Sequence, residues 1–281
     1  MGFVDDWGDV EKSLLETFKT DLQKGGYLYQ TPINGGSELN RAFNLVPSAR
    51  IAAALGWLDI ARKYSEVGLS LLDTSIKKRQ KKLSITTLVP SSLIDYHRNS
   101  IRNFFGLIIN RKDDPTLQEK IFVELYSEFS RLIQESKLKI ANRIRPVLCS
   151  AAIANNRLDL AYLLAKEINK QLAPKITNEK DIVLNDWYLI ELTIECLTNS
   201  GTCKYSIEDI NNLYMMFFNY LTVPGQTGFH KTLNGRRPIS TLYVTAYLFY
   251  KYVNKDVPFD PVLVLQSTVY GYVSKVIEKK L

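Results

Sequence analysis

Residues 52–61 read AAALGWLDIA and residues 151–165 read AAIANNRLDLAYLLA. Both run from an alanine-rich stretch through a tight break into the same four-residue pattern. Leu58-Asp59-Ile60-Ala61 answers Leu158-Asp159-Leu160-Ala161, and Ala52 and Ala54 answer Ala152 and Ala154 at the same offset. Alanines let two helices approach closely. Gly56 in one copy and Asn155-Asn156 in the other allow the turn, and Asp59 and Asp159 favour the positive end of the helix that follows. Each stretch is therefore expected to be the turn of a helical hairpin.

Helical periodicity spreads outward from these two turns. It predicts a first amphipathic helix over 9–24, with Val10, Leu14, Leu15, Phe18 and Leu22 on one side and Gly25-Gly26 at its end. A pair surrounds Gly56-Trp57, and further pairs fall at about 91–110 with 115–136, 140–154 with 157–172, 181–199 with 206–222, and 238–254 with 260–279. Asp114-Pro115, Ser206 with Asp209, and Asp260-Pro261 are cap signals. Leu117, Ile121, Leu125, Phe129, Leu132 and Ile133 are read as one apolar stripe. The segment Ala154–Ile168 resembles the boundary between the two helices of pentatricopeptide and tetratricopeptide repeats, a resemblance that implies a helical hairpin.

The expected fold is all-α: about eleven helices in antiparallel hairpins, forming an α-solenoid or an α/α toroid within one domain, 1–281. Three excursions are expected: an irregular arm at 25–47, a basic linker at 76–90, and a Gly-rich stretch at 222–238. In the last, Asn234-Gly235 predicts one small β-hairpin near 227–238.

Composition narrows the class. With 46% hydrophobic residues and a net charge of only +7 in 281 residues, the chain is not intrinsically disordered. No apolar run reaches the roughly 18–20 residues of a membrane span. Three cysteines cannot build a disulfide framework. The acidic N-terminal sequence has neither signal-peptide nor transit-peptide character, which predicts a cytoplasmic protein or one assembled into a particle.

The charge is unevenly placed. Residues 51–150 hold 17 basic and 10 acidic residues, and the remainder is balanced. The excess peaks at Lys77, Lys78, Arg79, Lys81 and Lys82 and continues through Arg98 and Arg102, beside Tyr96 and His97. Such a run fits an anionic partner such as nucleic acid, a lipid headgroup or an acidic protein face, and with tyrosine near it suits single-stranded nucleic acid. Residues 1–40, with seven acids against three bases, are an internal candidate for that face. A second group, His230, Lys231, Arg236 and Arg237, lies among Gly225, Gly228 and Gly235, where open backbone N–H groups and paired arginines suit a carboxylate or phosphate.

Chemistry-bearing motifs are missing. Two histidines and three dispersed cysteines lack metal-ligand spacing. There is no G-x-S-x-G, no phosphate loop and no G-x-G-x-x-G. No catalytic residue, metal or cofactor is assigned. The leading expectation is a non-enzymatic structural or adaptor protein that presents a helical scaffold to protein partners or to copies of itself, as a subunit of a viral or cellular assembly. The alternatives are a nucleic-acid-binding helical repeat using 77–102, and an α/α-toroid enzyme acting on carbohydrate, for which Asp59, Asp95, Asp159 and Asp186 are the candidate acids.

Overall fold

The computed structural model describes residues 38–81, 91–110, 113–172, 176–199, 201–222 and 239–254. Among these residues the chain is all-helical, with ten helices and no strand. They are α1 (Glu38–Ala54), α2 (Leu58–Lys81), α3 (Ser91–Asn110), α4 (Leu117–Gln134), α5 (Leu138–Ala154), α6 (Leu158–Leu172), α7 (Glu179–Leu184), α8 (Asp186–Thr198), α9 (Ile207–Thr222) and α10 (Ile239–Tyr252). The expected helices at 9–24 and 260–279 and the β-hairpin near 227–238 lie outside the described residues.

The two alanine-rich turns have the same hydrogen-bond pattern. After α1 the Trp57 N–H donates to the Ala52 carbonyl (2.9 Å) and the Gly56 N–H to Ala53 (3.1 Å). After α5 the Arg157 N–H donates to Ala152 (2.8 Å) and the Asn156 N–H to Ile153 (3.3 Å). These are Schellman turns, with Gly56 (φ 88°) and Asn156 (φ 57°) in the left-handed position. A third copy joins α4 to α5, where Lys137 donates to Leu132 and Ser136 to Ile133, with Ser136 at φ 56°. It too leads into Leu138-Lys139-Ile140-Ala141, a match to the other two that the sequence reading missed. Ala61, Ala141 and Ala161 are fully buried in all three copies, where the new helix lies closest to the old one.

α1 is the hub. It packs against α2, α3, α4, α5 and α10. Its small residues explain how: Ala42, Ala49, Ala52, Ala53 and Ala54 are essentially inaccessible, together with Val46 and Ile51. α5 is buried almost all round in the same way from Val147 to Ile153. Ala54 is buried, as a close helix contact demands, whereas Ala154 is only half-buried. The third well-buried helix, α8, packs against α6, α9 and α10. Contacts such as α1 with α5 and α1 with α10 join helices far apart in the chain.

Four expectations are corrected. Residues 38–47 of the irregular arm are helical, and α1 runs through Pro47. A proline inside a helix costs about 3 kcal/mol, but burying Ala42 and Val46 on one side and Ala49 and Ile51 on the other offsets it. Residues 76–81 of the basic linker are the end of α2. Lysine, arginine and glutamine are good helix formers, and cations suit a helix C-terminus. The helix expected over 181–199 is divided at Asn185, whose Oδ1 accepts the Tyr188 N–H (3.2 Å) and so starts α8 afresh. Finally, Ile133 leaves the core stripe of α4 and is 39% exposed. The Ser206–Asp209 cap forms as expected: the Asp209 N–H donates to Ser206 Oγ (3.1 Å) and the Ser206 N–H to Asp209 Oδ2 (2.8 Å).

The three equivalent turns predict opposite effects for two substitutions. Left-handed backbone costs a side-chain-bearing residue about 1–2 kcal/mol. Ser136→Gly should therefore raise the melting temperature by about 1–4 °C. Gly56→Ala should lower it, because the added Cβ would lie 2.5 Å from the end of the Gln118 side-chain amide as well as being strained. Thermal unfolding followed by circular dichroism checks both, and equal signs would show that the turns are not equivalent.

Candidate functional site

The described part of the basic run caps the end of α2. Lys77 is exposed there, and Lys78, Arg79 and Lys81 follow it on the same helix. Arg98 on α3 is held by Asp73 of α2 (2.8 Å), so it serves first to fasten α3 to α2. Arg102 is exposed. Tyr96 and His97, expected to extend this basic surface, turn inward instead, and His97 is 1% exposed. Lys82, His230, Lys231, Arg236 and Arg237 lie outside the described residues. Of the candidate acids, Asp59, Asp95 and Asp159 are exposed and Asp186 is buried. Among the described residues no three His, Cys, Asp or Glu side chains converge as metal ligands, and no helix is long and apolar enough to cross a membrane. Cys149, Cys196 and Cys203 are free thiols. Burial pushes the Cys149 thiol up, and burial with the neighbouring Cys203 pushes Cys196 up to about 11.

Sequence reasoning missed Arg50. It sits on the hub helix, 1% exposed, where α1, α3 and α4 meet. Its guanidinium donates to the Tyr96 hydroxyl (3.2 Å) and lies 3.4 Å from the Glu128 carboxylate. Its carbon is 5.2 Å from the centroid of the Phe104 ring and 5.6 Å from that of Tyr96. The cation is thus held by one carboxylate, one hydroxyl and two aromatic faces. Neighbouring groups respond. Burial raises the Tyr96 phenol, and burial raises Glu124, helped by the charge of Glu128. His97 is depressed to about 3, mainly by burial and further by Arg50 and Arg143. This centre ties three helices together and is closed to solvent at Arg50 and His97.

The open face lies on the other side of α4. Leu117, Ile121, Leu125 and Leu132 point into the core. Val123 (54% exposed), Tyr126 (47%) and Ile133 lie on a second stripe at helical spacing. Phe122 and Phe129 flank them half-buried, and Phe122 stacks with Tyr126 at 6.0 Å between centroids. Two arginines from the neighbouring helix and turn cover these rings: Arg145 lies 5.7 Å from the Phe129 centroid and Arg157 lies 5.8 Å from that of Phe122. Singly exposed apolar residues are ordinary, but an aligned apolar and aromatic face edged by arginines has the composition of a protein interface. The signal in the sequence was the i, i+3 pair Val123 and Tyr126, off the core stripe.

Two expected outcomes follow from these positions. His97 has a lower pKa folded than its ordinary unfolded value near 6.5, so the unfolded chain binds more protons between those values. Stability should therefore be fully present above about pH 6.5 and fall as the pH drops toward 3. Melting temperature against pH from 7 to 5 should be flatter in His97→Gln than in the natural chain, and an unchanged slope would refute the assignment. The basic end of α2 is expected to bind no nucleic acid specifically. A filter-binding series from about 50 to 200 mM salt spans the range in which phosphate contacts change affinity by orders of magnitude. A salt-dependent affinity for single-stranded RNA that is lost when Lys77, Lys78, Arg79 and Lys81 are all changed to Ser would overturn it. Comparisons of this chain with protein-family models, with curated proteins and with solved structures find no match.

Proposed function

We propose that the chain is a non-enzymatic scaffold or adaptor, an assembly subunit whose helical framework presents the α4 face to a protein partner. The observation that carries this reading is the second apolar face of α4. Val123, Tyr126 and Ile133 are exposed on a helix whose opposite side already fills the core. The bordering Arg145 and Arg157 are stacked on aromatic rings, which holds their planes in place and lowers the ordering cost on binding. Tyrosine and arginine are the residue types that dominate binding energy at protein interfaces. The framework beneath is rigid: α4 is bonded to the turns that end α1 and α5.

A photo-reactive residue placed at position 126 should capture a defined protein partner, and one placed at exposed position 179 on α7 should not. Val123→Asp with Ile133→Asp should abolish the capture while leaving stability within about 1 kcal/mol, as expected of surface changes. Identical adducts from positions 126 and 179 would overturn the reading.

A further inference from the structure

A cleft of about 330 Å³ opens between α6 and α8. That volume is at the lower end of the roughly 300–1,000 Å³ of small-molecule sites. Asn169 and Glu191 line it together. Asn169, 7% exposed, donates its amide to the Trp187 carbonyl (2.9 Å) and to Glu191 Oε2 (2.6 Å). Those two acceptors set the orientation of the amide, and Asn169 Oδ1 is then left buried with no partner in the protein. Glu191 is half-buried, and removal from water favours its protonated form, while Asn169, Lys166 and Lys170 pull the other way. Lys166 and Lys170, one turn apart on α6, stand at the exposed rim, and Lys170 also bonds Glu167. Tyr188 and Ile176 supply the apolar wall.

The charges decide the ligand class. A simple anion would meet the lysines but be repelled by Glu191, and a simple cation would meet the reverse conflict. A molecule with an ammonium and a carboxylate a few ångströms apart satisfies both. We propose that this cleft binds a free α-amino acid with an apolar side chain. Its ammonium donates to Glu191, its carboxylate meets Lys166 and Lys170, and its side chain lies against Tyr188 and Ile176. A peptide end carries only one of the two charges at the α-position, so the site selects the free amino acid. The inference does not depend on the scaffold reading.

Isothermal titration calorimetry of the full chain with L-leucine and L-phenylalanine tests it. The expected result is saturable binding of at least one of them. N-acetyl-L-leucine and L-leucinamide, or the corresponding phenylalanine derivatives, each lack one charge and should bind at least about tenfold more weakly, a difference of about 1.4 kcal/mol. Glu191→Gln and the double change Lys166→Gln with Lys170→Gln should each weaken binding by a similar factor, with unfolding measured alongside to confirm that the variants fold. No saturable heat up to about 10 mM ligand, well beyond the millimolar affinities of weak sites, would overturn the proposal. Equal binding of the one-charge derivatives, or affinity unchanged in the folded variants, would also overturn it.

Discussion

A buried helix end must find partners for its last carbonyl groups, because water cannot reach them. Here the end of α1 is buried and that of α5 half-buried, and the same few groups serve both. The Gln118 side-chain amide, oriented to satisfy its neighbours, donates to the Ala54 carbonyl (2.6 Å) and accepts the Gly56 N–H (2.7 Å). The main-chain carbonyl of the same residue accepts from Asn155 Nδ2 (3.3 Å) at the end of α5. Asn155 also donates to Ala151 within its own turn (2.8 Å). α10 completes the junction. Lys251 Nζ donates to the Ala154 carbonyl (2.7 Å), the Tyr252 hydroxyl donates to Ile153 (2.8 Å), and Tyr247 meets Trp57 edge to face. One junction thus joins α1, α4, α5 and α10, which explains why α1 touches helices from both ends of the described chain.

That junction makes α1 the most enclosed helix, and the enclosure has a consequence for charge. The described side chains of a helix packed against five others are enclosed, so the polar ones among them must be matched inside the protein. Ser48 and Arg50 are the two that α1 carries among its described side chains. Arg50 is matched by pieces of α3 and α4, which accounts for the orientation of Tyr96 and for its separation from the surface basic residues nearby in sequence. Removing Glu128 would leave a buried guanidinium without its carboxylate, the costly way to break such a pair. The desolvation that raises Glu124 and lowers His97 belongs to the same enclosure.

The helical hairpins were legible because their turns are local. Gly56 and Asn155-Asn156 announce a left-handed residue, and the alanines announce close packing. The third turn was not seen because Ser136 is neither glycine nor asparagine, although the Leu138–Ala141 pattern after it was in view. Pro47 was misleading for a different reason: its local effect is to end a helix, and only the burial of its neighbours overrides it. The candidate sites were less legible. Tyr96 and His97 were assigned to a basic surface because they sit beside Arg98, yet helical geometry sends adjacent residues in different directions. Arg50, Glu128 and Phe104 come together from three helices, and Asn169 meets Glu191 across the α6–α8 packing. No local spacing records such meetings. The apolar face of α4 was half-legible, since Ile133 was noticed and assigned to the wrong side.

α4 shows how the framework and the proposed surface depend on each other. Its inner face needs Leu117, Ile121, Leu125 and Leu132 to fill the hub, and its first turn must keep Gln118 on the junction. A helix under those constraints is held in a fixed position by contacts on one side only. Its outer side carries fewer of these contacts, and a surface helix ordinarily carries charge there. Exposed charge is present at Glu119, Lys120 and Arg131, and Val123 and Tyr126 interrupt it. Those two add nothing to the core while exposing about half of each side chain. The arginines at its border come from α5 and from the turn after it, both anchored at the same junction. A rigid hub therefore delivers an apolar stripe and two positioned cations as one unit, the preorganisation that the proposed binding surface calls for.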